Sequence, residues 1–126
     1  MKFLFSFKIA NAQYMYNGFG KYIGRVDGNY YYYNGTGKLL GHVNGNYIYD
    51  GSGVQIGRVD GKYLYDGAGV QMGRIEDDYF YDGKGKQVGH IDGEYIYDSS
   101  GMLIGRAEAL LRIQKIIFFY FFMQLN

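Results

Sequence analysis

Six basic or titratable side chains have the residue types and the regular spacing that could bind a ligand. Each follows a Gly and precedes an aliphatic residue, and successive members lie 16 or 17 residues apart. They are Arg25, His42, Arg58, Arg74, His90 and Arg106. On a common rim they could bind an anionic ligand. We favour the alternative that each stacks on a neighbouring Tyr ring, since Tyr surrounds every copy.

The histidines and the acidic residues do not predict a metal centre. His42 and His90 lie three copies apart, so in a closed ring they could share a metal only on its axis. Glu76-Asp77-Asp78 is typical of a solvated turn, with weak calcium binding as the alternative. We therefore predict no metal and no cofactor.

Acid–base chemistry would require carboxylates from turns, such as Asp50 and Asp66. Both precede Gly-x-Gly, and an Asp there can accept backbone N–H groups from its own turn, so capping explains them better. Gly51-Ser52-Gly53 leads into a strand, unlike a phosphate-binding loop, which leads into a helix. No nucleophile has a base at a recognisable spacing. We therefore predict that the protein is not an enzyme; the alternative is an enzyme of unknown class using the Arg/His rim and the turn aspartates.

Tyrosine dominates the remaining surface chemistry, with 16 of the 126 residues. Rings held on rigid strands suit stacking on sugars or packing against another protein. We expect most of them to pack between neighbouring copies. Tyr30 and Tyr32 are the candidate stacking surface.

An internal repeat of about 16 residues positions all these side chains. Its Tyr-x-Tyr-Asp/Asn motif begins, in this alignment, at Tyr14, Tyr31, Tyr47, Tyr63, Tyr79 and Tyr95. The residue between the two Tyr is expected to face the other side of the strand: Met15, Tyr32, Ile48, Leu64, Phe80 and Ile96. The first step is 17 residues, and we place its extra residue in a bulge within residues 29–33.

Each copy contains two short strands and two tight turns. Turns such as Asp60-Gly61 favour hairpins, and no helix fits between them, so neighbouring strands should be antiparallel. Twelve short strands in an open sheet would leave exposed edges. The sequence therefore predicts an all-β closed ring of antiparallel hairpins over residues 14–107. A Gly recurs in every second strand, where we expect an approaching backbone or a Tyr ring to require the missing side chain.

The C-terminal residues 108–126 break the pattern. Residues 116–123 are apolar on every side but far shorter than the roughly 20 residues that span a membrane. We predict a plug of the same domain, a helix along the ring axis, with a buried strand as the rival. A membrane or partner anchor is a third interpretation, and no transmembrane span is expected.

The first 13 residues contain an apolar run and the small-x-small sequence Ala10-Asn11-Ala12. We interpret them as an abbreviated export signal, with a first β-strand as the alternative. The expected location is secreted, periplasmic or cell-surface. A net charge of +1 gives no reason to expect nucleic acid as a partner.

The Gly-Arg-Val-Asp-Gly-x-Tyr-x-Tyr-Asp-x-x-Gly repeat and the Ile-Ile-Phe-Phe-Tyr-Phe-Phe-Met end resemble the bacterial β-flower proteins, in particular the five-fold β-flower family. The corners are also similar, less closely, to the YD repeats of bacterial toxin shells. The resemblance to the β-flower family implies hairpin petals around a pseudo-symmetry axis and no activity. Five Asp-Gly-type turns would suit five petals if the outer strands pair, whereas six corners would suit six. We expect a small exported, non-enzymatic repeat domain with a structural or binding role towards protein or glycan.

Overall fold

The computed structural model describes residues 13–33 and 36–123, which form a closed ring of twelve antiparallel strands. The strands are β1 (Gln13–Asn17), β2 (Tyr22–Asp27), β3 (Tyr30–Tyr33), β4 (Leu39–Asn44), β5 (Tyr47–Asp50), β6 (Gln55–Asp60), β7 (Tyr63–Asp66), β8 (Gln71–Glu76), β9 (Tyr79–Asp82), β10 (Gln87–Asp92), β11 (Tyr95–Asp98) and β12 (Leu103–Glu108). Each strand pairs with its neighbours in sequence, and β1 pairs with β12. The predicted all-β closed ring is confirmed. Residues 1–12, on which the export-signal prediction falls, lie outside the described residues.

Two kinds of turn alternate around the ring. At what we call the corner end, which joins β5 to β6 and the equivalent pairs, the Asp50 carboxylate accepts N–H groups from Ser52 at 2.9 Å and Val54 at 3.0 Å. Asp66 accepts the equivalent pair. These aspartates therefore cap their own corners.

The opposite end, called the hairpin end, has two-residue turns such as the one joining β6 to β7. The first central residue alone takes a positive φ, as in a type II′ turn, and Gly61 has φ 59°. Asp77 occupies the same position with φ 54°. It therefore holds a left-handed conformation that usually requires Gly.

The second copy has a register different from the predicted one. Tyr31, which is 2% exposed, faces the lumen, and Tyr32 pairs with Arg25 on the outer face. The β2–β3 ladder is regular, and the extra residue lies in the next corner. There the Tyr33 N–H bonds to the carbonyl of Lys38, a loop one residue longer than the Asp50-to-Val54 equivalent. The prediction of a bulge within residues 29–33 is wrong, because lengthening a turn breaks no ladder hydrogen bond.

A bulge does occur in every corner hairpin, in the second strand of each copy. Ile48 pairs with Gly57 and Tyr49 with Gln55, which leaves Ile56 unpaired between them. Two consecutive residues, Ile56 and Gly57, can therefore both line the lumen.

The lumen contains the C-terminal plug, which we define as α1 (Arg112–Ile117) and the π-helical turn Phe118–Phe122. Phe118 and Phe122 are fully buried. Lys115 Nζ donates to the Gly93 carbonyl at 2.6 Å, so α1 enters from the hairpin end. The tail is thus the predicted helix along the axis, not a strand.

Candidate functional site

The middle of the lumen is closed by contacts between strand glycines and the plug. A Cβ atom at Gly41 would lie 2.7 Å from the Phe122 ring, and one at Gly57 would lie 2.5 Å from Phe121 Cζ. The six pairs are Gly24 with Phe118, Gly41 with Phe122, Gly57 with Phe121, Gly73 with Tyr120, Gly89 with Phe119, and Gly105 with Met123. The expected approach of a neighbouring backbone is confirmed in all six copies, because a carbonyl oxygen of the adjacent strand lies within 3.2 Å of each added Cβ. The expected Tyr ring is present at Gly73, whereas Phe rings occupy that place in four copies and a Met in the sixth. A ligand could not pass this layer without displacing the plug.

Tyr120 adds a polar contact inside this layer. Its hydroxyl donates to the Tyr81 carbonyl at 2.7 Å. Burial raises the pKa of Tyr120, so the ring stays neutral and acts as a donor. This side chain holds the plug in one rotational setting.

The six candidate rim residues lie on the outer face of the ring, one in each copy. Four guanidinium groups lie over Tyr rings: Arg25 over Tyr32 at 4.2 Å, Arg58 over Tyr65 at 4.2 Å, Arg74 over Tyr81 at 4.5 Å and Arg106 over Tyr16 at 4.3 Å. His42 stacks on Tyr49 with ring centroids 4.9 Å apart, and His90 stacks on Tyr97 at 4.8 Å. Each pair is directly opposite in the strand register, so the stacking follows from the repeat.

These residues are distributed around the circumference and do not converge. Three of the arginines also approach carboxylates, with Arg74 3.2 Å from Glu76, Arg106 3.2 Å from Glu94 and Arg58 3.5 Å from Asp60. Across the described residues, no three His, Cys, Asp or Glu side chains are grouped to hold a metal ion.

A second row of tyrosines, two residues along the strands on the same outer face, is more exposed. Tyr47 is 44% exposed, and its direct partner across the strand pair is Asn44. A Tyr opposite an acidic or amide residue recurs in every copy, but Tyr14, opposite Glu108, is half-buried. The five exposed cases, which we call the Tyr platforms, are Tyr30 with Asp27, Tyr47 with Asn44, Tyr63 with Asp60, Tyr79 with Glu76, and Tyr95 with Asp92. Of the two predicted stacking residues, Tyr30 is a platform and Tyr32 is half-buried beneath Arg25. Sequence reasoning missed the other four platforms because it expected those tyrosines to pack between neighbouring copies, whereas they are 36–45% exposed.

Two grooves open at the ends of the ring. One of about 500 Å³ lies at the hairpin end between α1 and strands β6–β8, and one of about 400 Å³ lies at the corner end beside Phe119 and Met123. Neither is lined by any of the six rim residues. Nothing in the sequence repeat signals them, because they form where the unrepeated tail meets the ring.

Comparisons with known proteins identify the fold. No helix in residues 13–33 and 36–123 has the length and apolarity needed to cross a bilayer. Searches of curated proteins and of solved structures gave no match. The family model described as 5-fold beta-flower protein matches residues 12–123, which include the whole described ring and plug. The chain therefore belongs to the 5-fold β-flower family.

Proposed function

We propose that this chain is a non-enzymatic, exported binding module whose Tyr platforms hold a neutral glycan. One observation carries the proposal: five exposed Tyr rings recur on one outer belt, each directly opposite an Asp, Asn or Glu. An aromatic face packs against the C–H face of a sugar, and a carboxylate or amide beside it accepts hydroxyl hydrogen bonds.

The charge of the platforms selects among glycans. Asp60 and Glu76 have side chains 69% and 46% exposed, so they are available to a ligand. On its other side each platform Tyr pairs with an Arg or His, such as His42 opposite Tyr30 and Arg74 opposite Tyr63, so the belt carries both signs of charge and favours a neutral glycan over a charged one. Lys62 lies 5.7 Å from the Tyr63 ring centroid and partly covers that platform. We therefore expect Tyr30 and Tyr79 to bind better than Tyr63.

The arrangement also explains how weak single sites would suffice. Neighbouring platforms are two strands apart, about 9–10 Å, which is close to the length of two linked sugar rings. Several platforms engaged at once by a branched or flexible glycan would bind far more tightly than one.

Non-enzymatic action is supported by the shape of this surface. The platforms lie on the convex outer face of the ring, and none of their five tyrosines lines either of the two grooves described above. Glycoside hydrolysis needs two carboxylates on opposite sides of the sugar in a site that excludes water. The alternative of a tail anchor has little support, because the apolar side chains of Phe118, Phe121 and Phe122 are buried within the ring.

A glycan array followed by calorimetric titration tests the proposal. Replacing Tyr30 and Tyr79 by Ala should weaken binding about threefold to tenfold per ring lost, the usual contribution of one aromatic contact. Phe19→Ala is the matched control, since Phe19 is 98% exposed at the corner end and away from the belt. A blank array at high protein concentration, or equal loss in both variants, would overturn glycan binding.

Export is tested separately by sequencing the N-terminus of the protein recovered outside expressing cells. The small-x-small pattern at residues 10–12 supports a mature chain that begins at Gln13, the first residue of β1. An intact Met1, or protein retained in the cytoplasm, would contradict it.

A further inference from the structure

We propose that the groove at the hairpin end binds an aliphatic carboxylate, a flexible apolar chain with an anionic head group. This groove, which we call the α1 groove, lies between α1 and the turns that join β6 to β7 and β8 to β9. The site uses none of the platform rings, although Lys62 lies between the groove and the Tyr63 platform.

The side chains that line the α1 groove determine what apolar part of a ligand fits there. They are aliphatic side chains from both the ring and α1: Val59, Leu64, Ile75, Ile113 and Ile116. Its volume of about 500 Å³ is within the usual range for small-molecule sites. No aromatic ring of the described chain lines it, so nothing there would stack on a sugar or a flat ring. An aliphatic pocket of this kind is best filled by a flexible methylene chain.

The rim of the α1 groove determines the head group. Lys62 extends from the ring and Arg112 from α1, and both side chains are 50% exposed. Lys62 Nζ is 3.5 Å from Glu76, and Arg112 Nε is 3.9 Å from Asp78, so both ion pairs are loose and solvent-accessible. Exposed pairs of this kind contribute little to stability, and an incoming carboxylate can share the cations. Arg112 also donates to the Asp77 carbonyl, which orients its guanidinium group at the groove.

Asp77 opposes this binding and provides a test. It is the one acidic side chain among those that line the α1 groove, and its charge would repel a carboxylate head. Asn tolerates the positive φ of this position at least as well as Asp. Asp77→Asn should therefore keep the turn and bind the carboxylate several-fold more tightly.

The first experiment is a titration of the isotope-labelled full chain with decanoate, followed by amide shifts and calorimetry below micelle-forming concentrations. Decanol and decyltrimethylammonium have the same alkyl chain length, so they separate the contribution of the head group to affinity from that of the chain. Decanoate should shift Leu64, Ile75 and Ile113 and bind about tenfold more tightly than decanol, and the cation should bind more weakly than either. Equal affinity for decanoate and decanol, or shifts confined to the corner-end groove, would overturn the proposal.

The second experiment changes the charge at the rim of the α1 groove without substituting any residue of the ring. Ile113 lines the α1 groove and is 43% exposed, so both Ile113→Glu and Ile113→Lys should fold. The Glu variant should lose decanoate binding by about tenfold or more, and the Lys variant should retain it. Leu111→Glu is the control, because Leu111 is exposed on the same segment but does not line the α1 groove. Unchanged binding in Ile113→Glu, or equal loss in all three variants, would refute a charge-selective site.

Discussion

Replacing Gly57 by Ala tests whether the plug determines the residue type at the strand glycines. The added Cβ would lie 2.5 Å from Phe121 Cζ and 2.9 Å from the Tyr65 carbonyl oxygen. Carbon atoms pack at about 3.5–4.0 Å, so the Phe121 ring would have to retreat by about 1 Å. Phe121 is only 8% exposed, and side chains in a close-packed interior have little room to move.

The expected cost follows from opposing contributions. Overpacking a filled core costs about 1–3 kcal/mol, and the rigid ring places Gly57 near the upper end. Replacing Gly by Ala returns about 0.4–1 kcal/mol by restricting the unfolded chain. The net loss of unfolding free energy should be about 2 kcal/mol, a large part of the roughly 5–15 kcal/mol typical of a domain.

Gly105→Ala is the matched control, because it makes the same change opposite a flexible side chain. Its Cβ would meet Met123 Cε at 2.7 Å and the Tyr16 carbonyl oxygen at 3.2 Å. Met can adopt another rotamer, so the loss should stay below about 1 kcal/mol. Urea unfolding followed by Tyr fluorescence measures both variants, since the chain has no Trp.

A double-mutant cycle then assigns the cost to one contact. Phe121→Leu removes the Cζ atom, so Gly57→Ala should cost about 1–2 kcal/mol less in that background. The reasoning is refuted if the two changes are additive, or if Gly105→Ala destabilises as much as Gly57→Ala. Either result would make the neighbouring backbone, and not the plug, the reason for glycine.

Three further predictions concern the turns and the tail. The Ser100 hydroxyl, then the Met102 N–H, lowers the pKa of Asp98, so its contribution to stability is full above the unfolded pKa near 4 and is lost as pH falls through the lower folded value. Asp98→Asn, which keeps a capping side chain, should flatten the fall of the urea midpoint below about pH 4. Asp77→Gly should increase the free energy of unfolding by up to about 1 kcal/mol, because Asp is strained at positive φ. A higher urea midpoint would show it. Deleting residues 110–126 should abolish cooperative thermal unfolding measured by circular dichroism, since it exposes the whole lumen; a cooperative transition in the shortened ring would contradict the plug.

Much of the fold could be predicted because the repeat states the same local rules six times. Gly53 and Gly61 mark two turns that leave no space for a helix, and antiparallel closure follows. The register of the second copy could not be read from the sequence, because Tyr30 to Tyr33 offer two equivalent Tyr-x-Tyr alignments. Burial of one ring, Tyr31, determines the register, and burial is a property of the closed ring.

The candidate sites were less predictable than the ring. The Arg and His positions were found by their type and spacing, and their stacking on Tyr follows from cross-strand pairing. The α1 groove depends on the position of α1 against the ring, and the periodicity of the repeat does not determine that position. The π-helical turn could not be predicted either, because a run of aromatic residues is compatible with a strand or a helix. The six units that surround it determine its conformation.

The one-to-one match between copies and plug side chains has a consequence for how this protein can evolve. Consecutive residues Phe119 to Phe122 face the fifth, fourth, third and second units in turn, while Phe118 faces the first and Met123 the last. A helix with the usual 100° between residues would skip over units that subtend about 60° each, and the wider π-helical turn brings the two spacings closer. Gene duplication of a single unit would enlarge the circumference and leave one strand Gly with no plug side chain against it. The terminal segment thus acts as a gauge of ring size, and gain or loss of a unit would require a matching change in the tail.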